Sequence, residues 1–299
     1  MALDDYHEID NQSIHESMSY LVEHMPPNMH LFIATRTDPP LPLARLRARG
    51  QMTELRAADL RFTSEEATEF LNKMMDLGLS NSQLETLENR TEGWIVGLQM
   101  AALSIQTTND VDAFVDSFGG RTRHIFDYLI EEVINRQPPD IRDFLLQTSV
   151  LDRLTGPLCD TITRRDDSQE ILQRLERENL FLVPLDNDRS WYRYHQLFSD
   201  LLRAQIVRQR PDSIGELHSK ASQWFEDEGL TVEAVNHAIA SQDFNRAVEL
   251  IGPMAMTMIA QNKHTSVLKW LSKIPEVRVA EQPWLCIGGA WASLLMRCY

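Results

Sequence analysis

Phe181-Leu182-Val183-Pro184-Leu185, then Asp186-Asn187-Asp188-Arg189, then Trp191-Tyr192-Arg193-Tyr194-His195 reads as a strand, a polar turn and a second strand. The second arm alternates with period two and the turn is made of Asp and Asn, the pattern of an antiparallel hairpin. Its surroundings are helical. Apolar periodicity predicts helices over 121–136, 138–149 and 169–179 before the hairpin and over 196–209 after it. Helices leading into a hairpin and one leaving it describe a winged-helix unit, placed at 137–210, with the hairpin as its wing.

Beyond Pro211 the pattern becomes repetitive. Helices are predicted at 217–228, 231–241, 243–251 and 265–273, with short breaks at Gly229-Leu230 and Ser241-Gln242. Small residues recur beside aromatic ones, as in Ala221-Ser222-Gln223-Trp224-Phe225 and Phe244-Asn245-Arg246-Ala247. Helix pairs of about 30 to 40 residues that each need a neighbour to bury a face suggest a tetratricopeptide-like array over 211–299. No polar helix closes this array before Tyr299, so it is expected to continue.

Upstream of the hairpin, residues 62–136 read as a helical domain. Thr63-Ser64-Glu65-Glu66 is a capping box opening a helix with Ala67, Phe70, Leu71 and Met74 on one face. A second helix is predicted near 82–90. A third begins at Thr91-Glu92-Gly93-Trp94-Ile95-Val96-Gly97-Leu98, where two glycines let a backbone or ligand approach closely. Residues 1–61 instead alternate as α/β: a strand end at Ala2-Leu3, a helix over 11–25, a strand over 31–34 and a short strand at 52–55. The expected class is mainly α, with the C-terminal remnant of a P-loop-type α/β domain in front.

The 299 residues, 43% hydrophobic and 24% charged, are enough for two or three packed units. No apolar run reaches the roughly 18 residues that span a bilayer and no secretory signal opens the chain, so the expected location is cytoplasmic, with no membrane partner. Cys159, Cys286 and Cys298 show no C-x-x-C spacing, against a disulfide framework or a zinc site. A net charge of -15 makes the whole chain a poor nucleic-acid binder. Its densest basic stretch, 36–61, sets six Arg against three acids; a solvated surface and a place near nucleotide phosphates both fit it.

Asp4 and Asp5 follow a strand end, where one carboxylate can hold Mg²⁺ through water and a second can orient the attacking water in nucleotide hydrolysis. Solvated loop residues would look the same. Arg36 follows the next strand, placed to read a γ-phosphate with its permanent, bidentate charge. No Gly in the chain precedes Lys, so the G-x-x-x-x-G-K-[ST] phosphate loop is absent. With only two residues before Leu3, the chain is expected to be a piece of a longer protein. His7 reads as structural, His237 as core or groove, and Trp191, Trp224, Trp270, Trp284 and Trp291 as core. Neither a nucleophile elbow nor an H-E-x-x-H metal motif occurs.

The ordered series L-D-D-Y-H, A-T-R-T-D-P-P-L-P-L-A-R-L-R-A-R-G, E-L-R-A-A-D-L-R-F-T-S-E-E-A and T-E-G-W-I-V-G-L-Q resembles the MalT-like large ATP-binding regulators of the LuxR family, signal-transduction ATPases of the STAND class. The resemblance covers essentially the whole chain. It implies a nucleotide-binding domain, a helical and winged-helix arm, a helical-repeat sensor for a small-molecule or protein inducer, and a C-terminal DNA-binding domain outside this chain. By resemblance, Asp4 and Asp5 fall on the catalytic Walker B acids, with Asp4 holding Mg²⁺ indirectly, and Arg36 on the sensor arginine. Gly93, Trp94, Gly97 and Leu98 fall on the motif beside the adenine, and His195 on a histidine that contacts the ADP β-phosphate; as a lone His beside aromatics, His195 also reads as a packing residue. The expected function is a fragment of an ATP-dependent transcriptional regulator that self-associates when switched on, with ATP, ADP and Mg²⁺ as ligands of the longer protein. Without a P-loop, the fragment is expected to be inactive and to hold none of them tightly. A helical-repeat adaptor with an inactive nucleotide-domain remnant is the alternative.

Overall fold

The computed structural model describes residues 1–108, 110–119, 122–261 and 263–296, so Cys298 and Arg121 lie outside the described residues. The fold is mainly helical, as the sequence patterns predict. Two compact units form, one of residues 1–137 with 170–201 and the other of 138–169 with 202–299.

In the first unit, β1 (Ala2–Leu3) and β2 (Phe32–Ile33) pair in parallel, Leu3 opposite Ile33. α1 (Gln12–Glu23) connects them, its Asn11 cap accepting from Ser13 N at 3.0 Å. α2 (Leu43–Ala48) follows. The predicted strand at 52–55 does not form. Its one charged side chain, Glu54, is held in ion pairs instead, with Arg47 at 2.6 Å and with Arg56.

The capping box is present. Thr63 Oγ1 accepts from Glu66 N at 3.3 Å and Thr63 N donates to Glu66 Oε2 at 2.9 Å, opening α3 (Ser64–Thr68). Thr63→Ala should lower stability by about 1 kcal/mol, measured by urea unfolding. The turn then widens into a π-helical segment, Glu69–Met74. A second capping box, Ser80 with Gln83, opens α4 (Asn81–Thr91). α5 (Ile95–Ile105), α6 (Val111–Ser117) and α7 (Arg123–Tyr128) follow, α7 running into a second π-helical segment, Leu129–Ile134.

In the second unit, α8 (Pro139–Thr148) and α9 (Gly156–Thr163) precede α10 (Ser168–Arg177), which leads back to the first unit. There the expected hairpin forms, β3 (Leu182–Pro184) antiparallel to β4 (Tyr192–Tyr194). α11 (Gln196–Gln209) occupies the predicted span.

Helix pairs complete the second unit: α12 (Ser213–Asp227), α13 (Thr231–Ala240), α14 (Phe244–Ala260) and α15 (His264–Leu271), then α16 (Glu276–Ala280) and α17 (Pro283–Met296). Ser222 Oγ donates to Ala234 O at 2.8 Å and accepts from Arg246 Nε at 2.9 Å, tying α12, α13 and α14 together. α14 runs nine residues past its predicted end at Ile251, through Pro253, because Ala255, Met258 and Ile259 continue its buried face. Trp270 is core, 3% exposed, but Trp284 and Trp291 are 68% and 51% exposed, which corrects their assignment to the core. Leu285 and Ala292 take the buried face of α17 instead.

Candidate functional site

The stretch Thr91-Glu92-Gly93-Trp94 joins two helices rather than starting one. α4 ends at Thr91; Glu92 (φ 50°) and Gly93 (φ 72°) both take the left-handed conformation, and Trp94 caps α5. Gly93 is required twice over, by its φ and by space: an added Cβ would lie 2.4 Å from Phe62 O. Phe62 N donates to Gly93 O at 2.9 Å, holding the two backbones together. At Gly97 a Cβ would lie 2.8 Å from Trp94 Cε3 and 3.3 Å from Leu197 Cδ1, so this glycine lets the start of α11 close on α5. Leu98 is fully buried.

The end of the hairpin fastens onto this turn. Arg193 grips Glu92 with both arms of its guanidinium, Nη1 to Oε1 at 2.8 Å and Nη2 to Oε2 at 2.9 Å. Gln196 N adds a third bond to Glu92 at 2.9 Å, and Arg61 a fourth at 3.4 Å. Burial by itself would raise the Glu92 carboxyl, but the bond from Arg193, the charge His195 carries when protonated and the bond from Gln196 outweigh it and hold it down to about 2. The Glu92 side chain is 13% exposed.

His195 lies beneath the clasp, 3% exposed, with Trp94 and Phe181 against its ring. Its Nε2 is 2.9 Å from Thr91 O, and its Nδ1 has no hydrogen-bond partner. Burial pushes the imidazole below its ordinary value against the pull of Glu92 and the Thr91 carbonyl, so it is neutral at pH 7. A carbonyl can only accept, so the proton sits on Nε2 and Nδ1 is a bare lone pair. Because the folded pKa is depressed, the unfolded chain takes up the proton first; this contribution to stability is present above about pH 6.5 and is lost as pH falls below it. Melting temperatures at pH 7.5 and 5 should differ less in His195→Gln than in the parent.

Asp4, Asp5 and Arg36 share one edge of the small sheet, at the carboxyl ends of the paired strands. Ala34 N donates to Leu3 O at 2.8 Å and Tyr6 N to Ala34 O at 3.2 Å, which sets the two strand exits side by side. Asp4 and Asp5 are exposed, and Asp4 Oδ1 accepts from Asp5 N at 3.0 Å. Arg36 Nη2 lies 3.9 Å from Glu132 Oε2. Its carbonyl accepts from Asn179 Nδ2 at 2.7 Å, and Phe181, two residues on, packs against Trp94 and His195. The Arg36 loop is thereby linked to the base of the hairpin. Three other arginines of the basic stretch pair with acids: Arg45 with Glu23, Arg47 with Glu54, and Arg56 with Asp38 and Glu54. His7 lies between two acids, its Nε2 3.4 Å from Glu8 Oε1 and its Nδ1 3.9 Å from Asp5 Oδ1.

Glu92, Arg193 and Asn179 do not stand out as site residues in the sequence. Arg193 has a signal, a charged residue between two tyrosines whose side chains are buried. Glu92 lies inside the T-E-G-W motif, yet nothing local shows that its partner comes a hundred residues later.

A β-hairpin wing between helices, its base clasped to a helix–helix junction, puts this protein among the winged-helix-bearing helical proteins. Residues 130–214 match the family model for the MalT winged helix domain. Over 297 residues, 99% of the chain, it is 31% identical to the serine/threonine-protein kinase PknK of Mycobacterium tuberculosis, covering 27% of that protein. Over 295 residues, 98% of the chain, it is 33% identical to the HTH-type transcriptional regulator MalT of Vibrio campbellii and 32% identical to that of Yersinia enterocolitica, covering 33% of each. The chain thus spans about a third of the length of the curated relatives it matches, and along that length it is similar to them.

Proposed function

We propose that this chain is the arm of a nucleotide-controlled transcriptional switch, in which ADP holds the hairpin and its histidine closed on the helical domain and ATP with an inducer releases them for self-association. One observation carries the reading: a buried histidine with an unpaired ring nitrogen, clasped under a hairpin against the T-E-G-W turn. Nucleotide biases such a clasp only by binding the closed and open states with different affinity. The names of the relatives supply the output. Several are called transcriptional regulators and others a serine/threonine-protein kinase, and both match over 98–99% of this chain.

Asp4 and Asp5 suit a hydrated Mg²⁺, and Arg36 suits a terminal phosphate, by charge and by their place at strand ends. The amide cradle of a Gly-rich loop has no counterpart in the 299 residues. No hydrolytic step is therefore assigned to them. An inducer would act through the helical pairs that follow α11, and DNA would be bound by residues outside this chain.

The bare Nδ1 sets a condition on phosphate binding. While Nε2–H keeps its bond to Thr91 O, His195 can hold an ionised β-phosphate through Nδ1 only as imidazolium, and phosphate bound in that way raises its pKa. ADP retention by protein expressed from the complete reading frame should strengthen as pH falls from 8 to 6. His195→Ala should weaken it by about tenfold or more and flatten that pH dependence. Purified protein free of nucleotide and unresponsive to ADP would favour the adaptor instead.

A further inference from the structure

Within the unit of residues 138–169 and 202–299, a cavity of about 350 Å³ opens where the loop after α8 meets α11, α12 and α13. Ile206, Val207 and Ile214 give it an apolar wall, and Arg203, His218 and His237 bring polar groups to it. His218 Nδ1 and His237 Nδ1 lie 2.8 Å apart and share one proton. Burial pushes both imidazoles down to about 4, so the pair is neutral at physiological pH. Two neutral imidazoles facing each other hold helices together poorly, because each surrenders its hydration for half of one hydrogen bond. What the pair does provide is a donor: the ring that accepts at Nδ1 must carry its own proton on Nε2.

Arg203 is fixed by its Nε to Ser149 O at 2.9 Å and by its Nη2 to Leu151 O at 3.3 Å and Asp152 Oδ1 at 2.6 Å, bonds that do not use the Nη1 donors. The Asp152 side chain is 87% exposed, an anion that solvent readily takes back. Cavities of this size hold small molecules when a few polar groups converge over apolar walls. The geometry points to a binding site for a small amphipathic carboxylate, its charged head on Arg203 in place of Asp152 and its hydrocarbon body along Ile206, Val207 and Ile214. This site does not depend on the nucleotide reading.

The test is calorimetric titration of the 299-residue chain with octanoate and, as the uncharged control, 1-octanol. Octanoate should bind at one site and octanol at least about tenfold more weakly, the loss of one charge-assisted pairing. Asp152→Asn should tighten octanoate about threefold by removing the competing anion. Arg203→Gln should abolish binding, but it also frees two backbone carbonyls, so Val207→Trp, which plugs the cavity from its exposed lip, serves as the second variant: binding should be lost with the melting temperature unchanged. Absence of saturable octanoate binding, equal binding of octanol, an unchanged affinity in Asp152→Asn or undiminished binding in Val207→Trp would each overturn the proposal.

Discussion

Gly93→Ala should be the most damaging Gly→Ala change among the described glycines. The added Cβ would sit 2.4 Å from Phe62 O, 3.1 Å from Phe62 N and 3.3 Å from Arg61 Cβ, at φ 72°. The left-handed conformation by itself costs an alanine about 1 to 2 kcal/mol. The clash adds to it, because Phe62 cannot retreat without breaking its bond to Gly93 O. A total loss of about 3 kcal/mol or more is expected in urea unfolding. Gly78→Ala is the control. Its φ is 62° but nothing lies within 4 Å of the added Cβ, so it should lose only the conformational part, about 1 kcal/mol.

Glu92→Ala should release the hairpin. It strands Arg193, whose side chain is 35% exposed, removes the partner of Gln196 N and leaves Arg61 without its acid. Breaking a fully buried pair from one side costs about 3 to 5 kcal/mol; with Arg193 partly solvated, about 2 kcal/mol is expected. The sharper readout is local. Protease should cut the turn at 185–191 faster in Glu92→Ala than in the parent, and a cycle with Arg193→Ala should show coupling of about 1 kcal/mol or more. Additive effects of the two substitutions would mean that the clasp holds nothing.

What the sequence discloses and what it hides differ by the range of the interaction. The capping box at Thr63 and Glu66, the hairpin and the span of α11 were legible because each is decided within a few residues. So was the parallel arrangement of the two strands that Asp4-Asp5 and Arg36 follow. The strand expected at 52–55 needed a pairing partner that local pattern cannot supply. α14 passes Pro253 because a buried face outweighs one missing N–H, a tertiary decision. α17 is apolar on nearly all sides, so the sequence does not say that Trp284 and Trp291 take its exposed face. Glu92 gives no local sign because its partners lie far along the chain, at Arg61, Arg193 and Gln196.

The central claim is that nucleotide controls this clasp, and amide hydrogen exchange of residues 181–196 and 91–94 tests it most directly, in protein expressed from the complete reading frame with and without ADP. Slower exchange of both segments with ADP, reversed by Glu92→Ala, is the predicted result. Identical exchange with and without ADP would contradict it.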